Sequence, residues 1–276
     1  MYLIIQGGDV ETADLKNIAK LAGASRIERI TDEAFRLCDA KPADGIAALC
    51  EQAQLDCAFV PEDRRLADFR LLVMDMDSTL ITIETIDELA DLIGLKTEVA
   101  TITAQAMRGE IEYDESLRRR LALLKGLDEN ALARVYDERL KLSPGAEQLL
   151  AQAKRHGIRT LLVSGGFTQV TDRLKSRLGL DYTYSNRLAI ENGRLTGEVT
   201  GRIVNADAKR DELVRVRDEL GFSRGQIIGI GDGANDLKFL AERGVSIAYR
   251  AKPVVRAKAV HALNHVGLDG VLNLFN

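Results

Sequence analysis

Three uninterrupted apolar runs interrupt an otherwise mixed pattern: Leu71-Leu72-Val73-Met74, Thr160-Leu161-Leu162-Val163 and Ile227-Ile228-Gly229-Ile230. Short runs of this kind, bounded by turn residues, read as strands buried on both faces of a parallel sheet. Each stops at polar residues: Asp75-Met76-Asp77-Ser78, Ser164-Gly165-Gly166, and Asp232-Gly233-Ala234-Asn235-Asp236. Open α/β sheets bind ligands at the carboxyl edge of their strands, so acid, hydroxyl and acid delivered to one edge predict a site. Ser143-Pro144 reads as a helix start, with Gly157 closing that helix. A second helix is expected directly after Gly166, ending at Gly179, and a hairpin over 182–201 turning at Asn192-Gly193.

Ahead of these runs, residues 1 to about 60 alternate between strand and helix patterns. Strands are expected at Tyr2 to Gln6, Arg26 to Ile30, Ala34 to Cys38 and Asp56 to Val60, with helices near 13–22 and 44–53. The order βαββαβ predicts an α+β ferredoxin-like domain over 1–66, closed by the polar stretch Pro61-Glu62-Asp63-Arg64-Arg65. Between the first two apolar runs, residues such as Ile86, Leu89, Ala90 and Ile93 recur at helical spacing. Helices are expected near 84–93, 99–107, 114–124 and 129–140. An insertion of about 60 residues is far longer than an ordinary connection, and so predicts a small helical cap, about 82–141, on a core of about 67–81 and 142–276.

Two carboxylates converging at about 4 Å repel by roughly 4 kcal/mol at an effective dielectric of about 20. Asp75 and Asp77 therefore imply a hard divalent metal or a shared proton, unless the pair is only a polar strand end. The paired glycines after Ser164 suit backbone amides wrapping an anion. Lys209 falls in the first turn of a helix, where the macrodipole disfavours a cation. Arg118-Arg119-Arg120 is a charge run on a helix whose buried stripe is Leu117, Leu121 and Leu124, which sets Arg120 at the stripe's edge. Gly229-x-Gly231-x-x-Ala234 imitates a dinucleotide fingerprint, but Asp232 would confront the pyrophosphate and no acid follows at the required distance. His261 and His265, four apart and without a third ligand, read as surface residues.

Composition narrows the classes. In 276 residues, 46% are hydrophobic, enough for one or two cored domains. A net charge of −4, few aromatics and no Trp argue against a nucleic-acid surface. Cys38, Cys50 and Cys57 form no Cys-x-x-Cys pair and are expected as reduced thiols. With no basic flank before the first apolar residues and no run approaching about 20, a soluble cytoplasmic protein without membrane contact is expected.

Asp75-Met76-Asp77-Ser78-Thr79, Val163-Ser164-Gly165-Gly166-Phe167, the lysine of Asn205-Ala206-Asp207-Ala208-Lys209, and Gly231-Asp232-Gly233-Ala234-Asn235-Asp236 occur in that order. Together they resemble the four motifs of the haloacid dehalogenase superfamily of aspartyl phosphatases, over about Phe69 to the C-terminus. The stretches 75–90 and 116–127 narrow the resemblance to the phosphoserine phosphatases within it. The resemblance implies a doubly wound parallel α/β core with a helical cap, preceded by an ACT-like module, either for amino-acid sensing or homodimer formation or for packing alone with no ligand. It implies hydrolysis of O-phospho-L-serine, a small-molecule substrate, in the last step of serine biosynthesis. Asp75 would be the nucleophile and Asp77 the general acid and base. Mg²⁺ would be held by Asp75, the Asp77 carbonyl and Asp232, with Asp236 and Asn235 in support from behind the ligands or from the phosphate side, Asn235 counting among the substrate-binding residues. Ser164, Gly165 and Lys209 would take the phosphoryl oxygens, Arg120 the substrate carboxylate, and Glu84 its ammonium. Alternatives are a phosphatase or phosphotransferase for another small phosphate ester, and, from a different class, a phospho-accepting or amino-acid-sensing regulator. The acid at Asp77 and the cap speak against that last class.

Overall fold

Two sheets divide the chain, and the computed structural model describes residues 1–242 and 244–276 of it. The first is four-stranded and antiparallel, built from β1 (Tyr2–Gln6), β2 (Arg26–Arg29), β3 (Ala34–Cys38) and β4 (Asp56–Val60) in the order β2-β3-β1-β4. Helices α1 (Thr12–Leu21) and α2 (Ile46–Gln52) connect its strands. Alternation along β1 explains the layering: Leu3 and Ile5 pack under the helices with Leu15, Ile18 and Ile46, while Ile4 turns to the opposite face with Ala58 and Val60. That opposite face belongs to the main core, which continues into Leu268, Val271 and Leu274.

The second sheet has seven strands, in the order β11-β10-β9-β5-β6-β7-β8. These are β5 (Leu71–Met74), β6 (Arg159–Phe167), β7 (Tyr182–Glu191), β8 (Arg194–Thr200), β9 (Ile227–Gly231), β10 (Val245–Tyr249) and β11 (His261–Leu263). All neighbours are parallel except the β7–β8 hairpin, which turns through Asn192 and Gly193, both at positive φ. The three apolar runs are the adjacent strands β9, β5 and β6, with Met74 opposite both Leu162 and Ile230. The chain winds outward from β5 in both directions, which creates a switch point at the carboxyl ends of β5 and β9.

Every residue of β5 and β9 is buried, and period-two alternation sorts them into two layers. Leu71 and Val73 pack with Leu213 and Val216 of α9 (Ala206–Glu219) and Phe239 and Leu240 of α10 (Leu237–Leu240). Leu72 and Met74 face α7 (Ala146–Arg155) and α8 (Thr168–Leu178), through Leu149 and Leu174. A short α11 (Pro253–Arg256) joins β10 to β11.

Between β5 and α7 the chain forms four helices, α3 (Thr85–Asp91), α4 (Lys96–Met107), α5 (Tyr113–Leu123) and α6 (Asn130–Glu138). The segments entering and leaving this insertion run side by side: Thr82 donates its amide to Lys141, Ile81 pairs with Leu142, and Ser143 Oγ donates to the Thr79 carbonyl at 2.6 Å. Ser143 is thus engaged across the chain. The helix it was expected to cap opens instead at Gly145, in the left-handed region.

The N-terminal sheet is fixed to the larger one by a buried carboxylate. Asp56, on β4, accepts from the amides of Asn264, His265 and Val266, just beyond β11. Beside it His261 is buried, not at the surface as its spacing had implied, and its Nε2 lies 2.7 Å from Arg64 Nη1. A guanidinium only donates, so this imidazole nitrogen is the acceptor and the ring is neutral. Burial, with Arg64 beside it, lowers the His261 pKa to about 4. Cys38, Cys50 and Cys57 are free thiols.

Candidate active site

The site begins where β5 ends. Asp75, nearly buried, accepts from the amide of Met76 at 2.7 Å through one oxygen and meets Lys209 Nζ at 2.8 Å through the other. Past Met76 the backbone turns sharply, with Ser78 at φ +56°, and this turn swings Asp77 toward the helical insertion. Asp77 Oδ1 accepts from both the amide and the hydroxyl of Thr85, at 3.2 and 2.6 Å. Its other oxygen faces β6, since a Cβ added to Gly166 would lie 3.0 Å from it. Burial, and then the Glu84 charge, push the Asp77 carboxyl up to about 7.

From β9 come Asp232 and Asp236. Thr79 Oγ1 donates to Asp232 at 3.1 Å, and burial together with Asp236 and Glu84 pushes Asp232 up to about 7. Asp236 is saturated: one oxygen accepts from the amides of Asp232 and Gly233, the other from Lys209 Nζ at 2.8 Å and Asn235 Nδ2 at 3.3 Å. Gly231 has no room for a side chain, because a Cβ there would come within 2.6 Å of this carboxylate. Lys209 is fully buried between Asp75 and Asp236, which offsets its unfavourable place in the first turn of α9 and raises its pKa. Asn205 caps that turn by accepting from the amides of Asp207 and Ala208.

From β6 come Ser164 and the glycines. The strand runs on to Phe167 and α8 starts only at Thr168, so the glycines extend the strand and do not open the helix as expected. Pairing with β7 slips between Ser164 and Phe167, and within that bulge the Gly166 amide donates to Ser164 Oγ at 2.8 Å.

The insertion covers this edge. The cleft is lined from the core by Asp75, Asp77, Gly165, Gly166, Asp232 and Asn235, and from above by Glu84, Tyr113, Leu117 and Arg120. Glu84 accepts from Ser78 Oγ at 2.7 Å. Arg120 is 9% exposed, yet its guanidinium makes no ion pair among the described residues and bonds only the Ser116 carbonyl, at 3.3 Å. A buried, unpaired cation facing a cleft is costly unless an anion arrives there. The fold thus brings Asp75, Asp77, Glu84, Arg120, Gly165, Asp232 and Asn235 to one cleft, with Ser164, Lys209 and Asp236 bonded to or beside its lining, whereas His261 lies apart from it. Tyr113, Thr79 and Thr85 were missed, because a hydroxyl carries no signal until its tertiary partner is known.

Carboxylate oxygens of Asp75, Asp232 and Asp236 lie within 4.8 Å of one another, with one ammonium among them. The uncompensated negative charge and all-oxygen donor set fit a hard divalent cation. Asp236, with both oxygens already bonded, suits support, whereas Asp232 Oδ2 accepts no hydrogen bond among the described residues.

A parallel sheet whose switch point carries Asp-x-Asp, a hydroxyl-glycine turn, a buried lysine and a second acid loop defines an acid-centred hydrolase class, and the chain belongs to the haloacid dehalogenase-like hydrolases, whose family model matches residues 72–241. A second model, described as a domain of unknown function, matches residues 3–46. Within the family the likeness is narrower. The phosphoserine phosphatase of Polaromonas sp. is 51% identical over 217 residues, 77% of this chain and 92% of that protein. Two crystal structures resemble nearly the whole chain. One is a haloacid dehalogenase family hydrolase from Salmonella enterica serovar Typhi, with TM-score 0.89, 33% identity, and coverage of 100% of this chain and 98% of that one. The other is a probable phosphoserine phosphatase from Vibrio cholerae in unliganded form, with TM-score 0.85, 35% identity, and coverage of 99% and 85%.

Proposed function

We propose that the protein hydrolyses O-phospho-L-serine to L-serine and orthophosphate through a phosphorylated Asp75. The observation that carries this reading is Arg120: a buried guanidinium without an ion-pair partner, on the same cleft as the Asp75–Lys209 pair. Its planar fork matches a carboxylate, and exposed Glu84 on the same cleft matches an ammonium, so the two read an amino acid while the core reads the phosphate. The relatives' identity supports the same substrate.

Asp75 attacks phosphorus with one oxygen oriented by the Met76 amide. Lys209, Ser164 and the Gly165 backbone meet the charge of the phosphoryl oxygens. Asp77, pushed up to about 7, holds a proton near neutrality and gives it to the departing serine oxygen, then takes one from the water that cleaves the acyl phosphate. Asp75, the Asp77 carbonyl and Asp232 would hold Mg²⁺, with Asp236 and Asn235 in support. When bound, Mg²⁺ neutralises the crowded acids and polarises the phosphoryl group.

The N-terminal order β4-β1-β3-β2 supports a ferredoxin-like, ACT-like module, and its exposed edge β2 is a candidate surface for a homodimer. Among the described residues no helix is long and apolar enough to cross a membrane. The phosphoserine reading carries with it a cytoplasmic place.

Phosphate release from phosphoserine, phosphothreonine and p-nitrophenyl phosphate, by wild type and Asp75→Asn with Mg²⁺, tests the proposal. Preference for phosphoserine and an inactive, folded Asp75→Asn are expected. Turnover by that variant at the wild-type rate, or preference for another ester, would overturn it.

A further inference from the structure

Tyr113 is the first residue of α5 and lies two turns from Arg120 on the face that closes the cleft. Its hydroxyl leans over the hydroxyl-glycine turn of β6: a Cβ built on Gly165 would meet Tyr113 Oη at 2.2 Å, whereas the ring carbon Cζ would stay 3.5 Å away. Glycine at 165 admits this hydroxyl, and since the residue is not at positive φ, it is close approach and not backbone strain that calls for glycine there. Among the described residues Tyr113 Oη has no hydrogen-bond partner, although it is not among the polar side-chain atoms sealed from solvent. The start of α5 is held down by Asn205 Nδ2, which donates to Asp114 Oδ1 at 3.0 Å and ties the helix carrying Tyr113 to the helix carrying Lys209. A phenol so placed has an unspent donor aimed into the phosphoryl end of the cleft, while Arg120 and Glu84 serve the amino-acid end.

On the phosphoserine reading above, we propose that the Tyr113 hydroxyl donates a hydrogen bond to a non-bridging phosphoryl oxygen, completing from the insertion a cradle that Ser164, Gly165 and Lys209 begin from the core. Burial pushes the phenol up to about 12, so it remains a neutral donor across the working pH range and adds no negative charge beside the phosphate. The consequence is coupling between the phosphate and closure: the anion is one of the groups that draws α5 down.

The test is Tyr113→Phe in the full chain, which removes one oxygen and keeps the ring. Hydrogen bonds to charged groups are at the strong end of the range, so the change should lower kcat/KM about tenfold. It should do so for phosphoserine and p-nitrophenyl phosphate alike, and raise the inhibition constant of orthophosphate by a similar factor. Inhibition by L-serine, which lacks the phosphoryl group, should be unchanged. A Tyr113→Phe enzyme with wild-type kcat/KM and orthophosphate inhibition overturns the inference, as does a loss confined to phosphoserine and L-serine. Should wild type prefer another ester, the phosphoserine reading fails, while the orthophosphate arm still decides the role of Tyr113.

Discussion

Lys209 Nζ and Asp236 Oδ1 lie 2.8 Å apart, and neither side chain is exposed. The same ammonium reaches Asp75, so one cation joins the end of β5 to the loop after β9. Asp236→Ala would leave Lys209 paired with Asp75, whereas removing the ammonium leaves two buried carboxylates uncompensated, at a cost of about 3 to 5 kcal/mol. Lys209→Met should show that loss in urea unfolding. A stability loss under about 1 kcal/mol would contradict the pairing.

Arg120 leads to the opposite expectation for stability. Since it has no ion pair to lose, Arg120→Met should leave the urea midpoint unchanged or raised. Its effect should fall on recognition: kcat/KM for phosphoserine lower by about 10²-fold, consistent with a lost charge-assisted bidentate contact, and that for p-nitrophenyl phosphate nearly unaffected. Equal losses on the two substrates would remove Arg120 from its role.

Gly165 and Tyr113 should behave as one unit in a double-mutant cycle. Gly165→Ala places a methyl group 2.2 Å from Tyr113 Oη and should raise KM by holding the insertion off the core. In a Tyr113→Phe background the nearest ring carbon is 3.5 Å away, so the same alanine should add little. Additive losses would show that the two do not meet.

His261 gives stability a pH dependence unrelated to catalysis. Its folded pKa, about 4, is below the ordinary histidine value of 6.5, so between those values the unfolded chain binds the extra proton. Its contribution is fully present above about pH 6.5 and is lost as pH falls toward 4, amounting to about 3 kcal/mol. His261→Gln should flatten the acid limb of the stability profile in that window. An unaltered slope would place the titration elsewhere.

The strands carrying the site were legible because β5 and β9 are buried on both faces and β6 nearly so, and such strands have little choice but unbroken apolar sequence. The acids were legible because carboxylates at strand ends have few structural uses. What escaped depends on residues distant in the chain. Ser143 carries a local cap signal but spends its hydroxyl on Thr79. The burial of His261 follows from docking of the N-terminal sheet, which brings Arg64 to it. Tyr113 gains meaning only when α5 folds back over Gly165.

The pairing of residues 81–82 with 141–142 has a mechanical consequence. The segments entering and leaving the four-helix insertion are bonded to each other, so both of its connections to the core meet at one place. Tyr113, Leu117 and Arg120 stand on one helix, α5, so whatever tilts that helix shifts all three contacts at once.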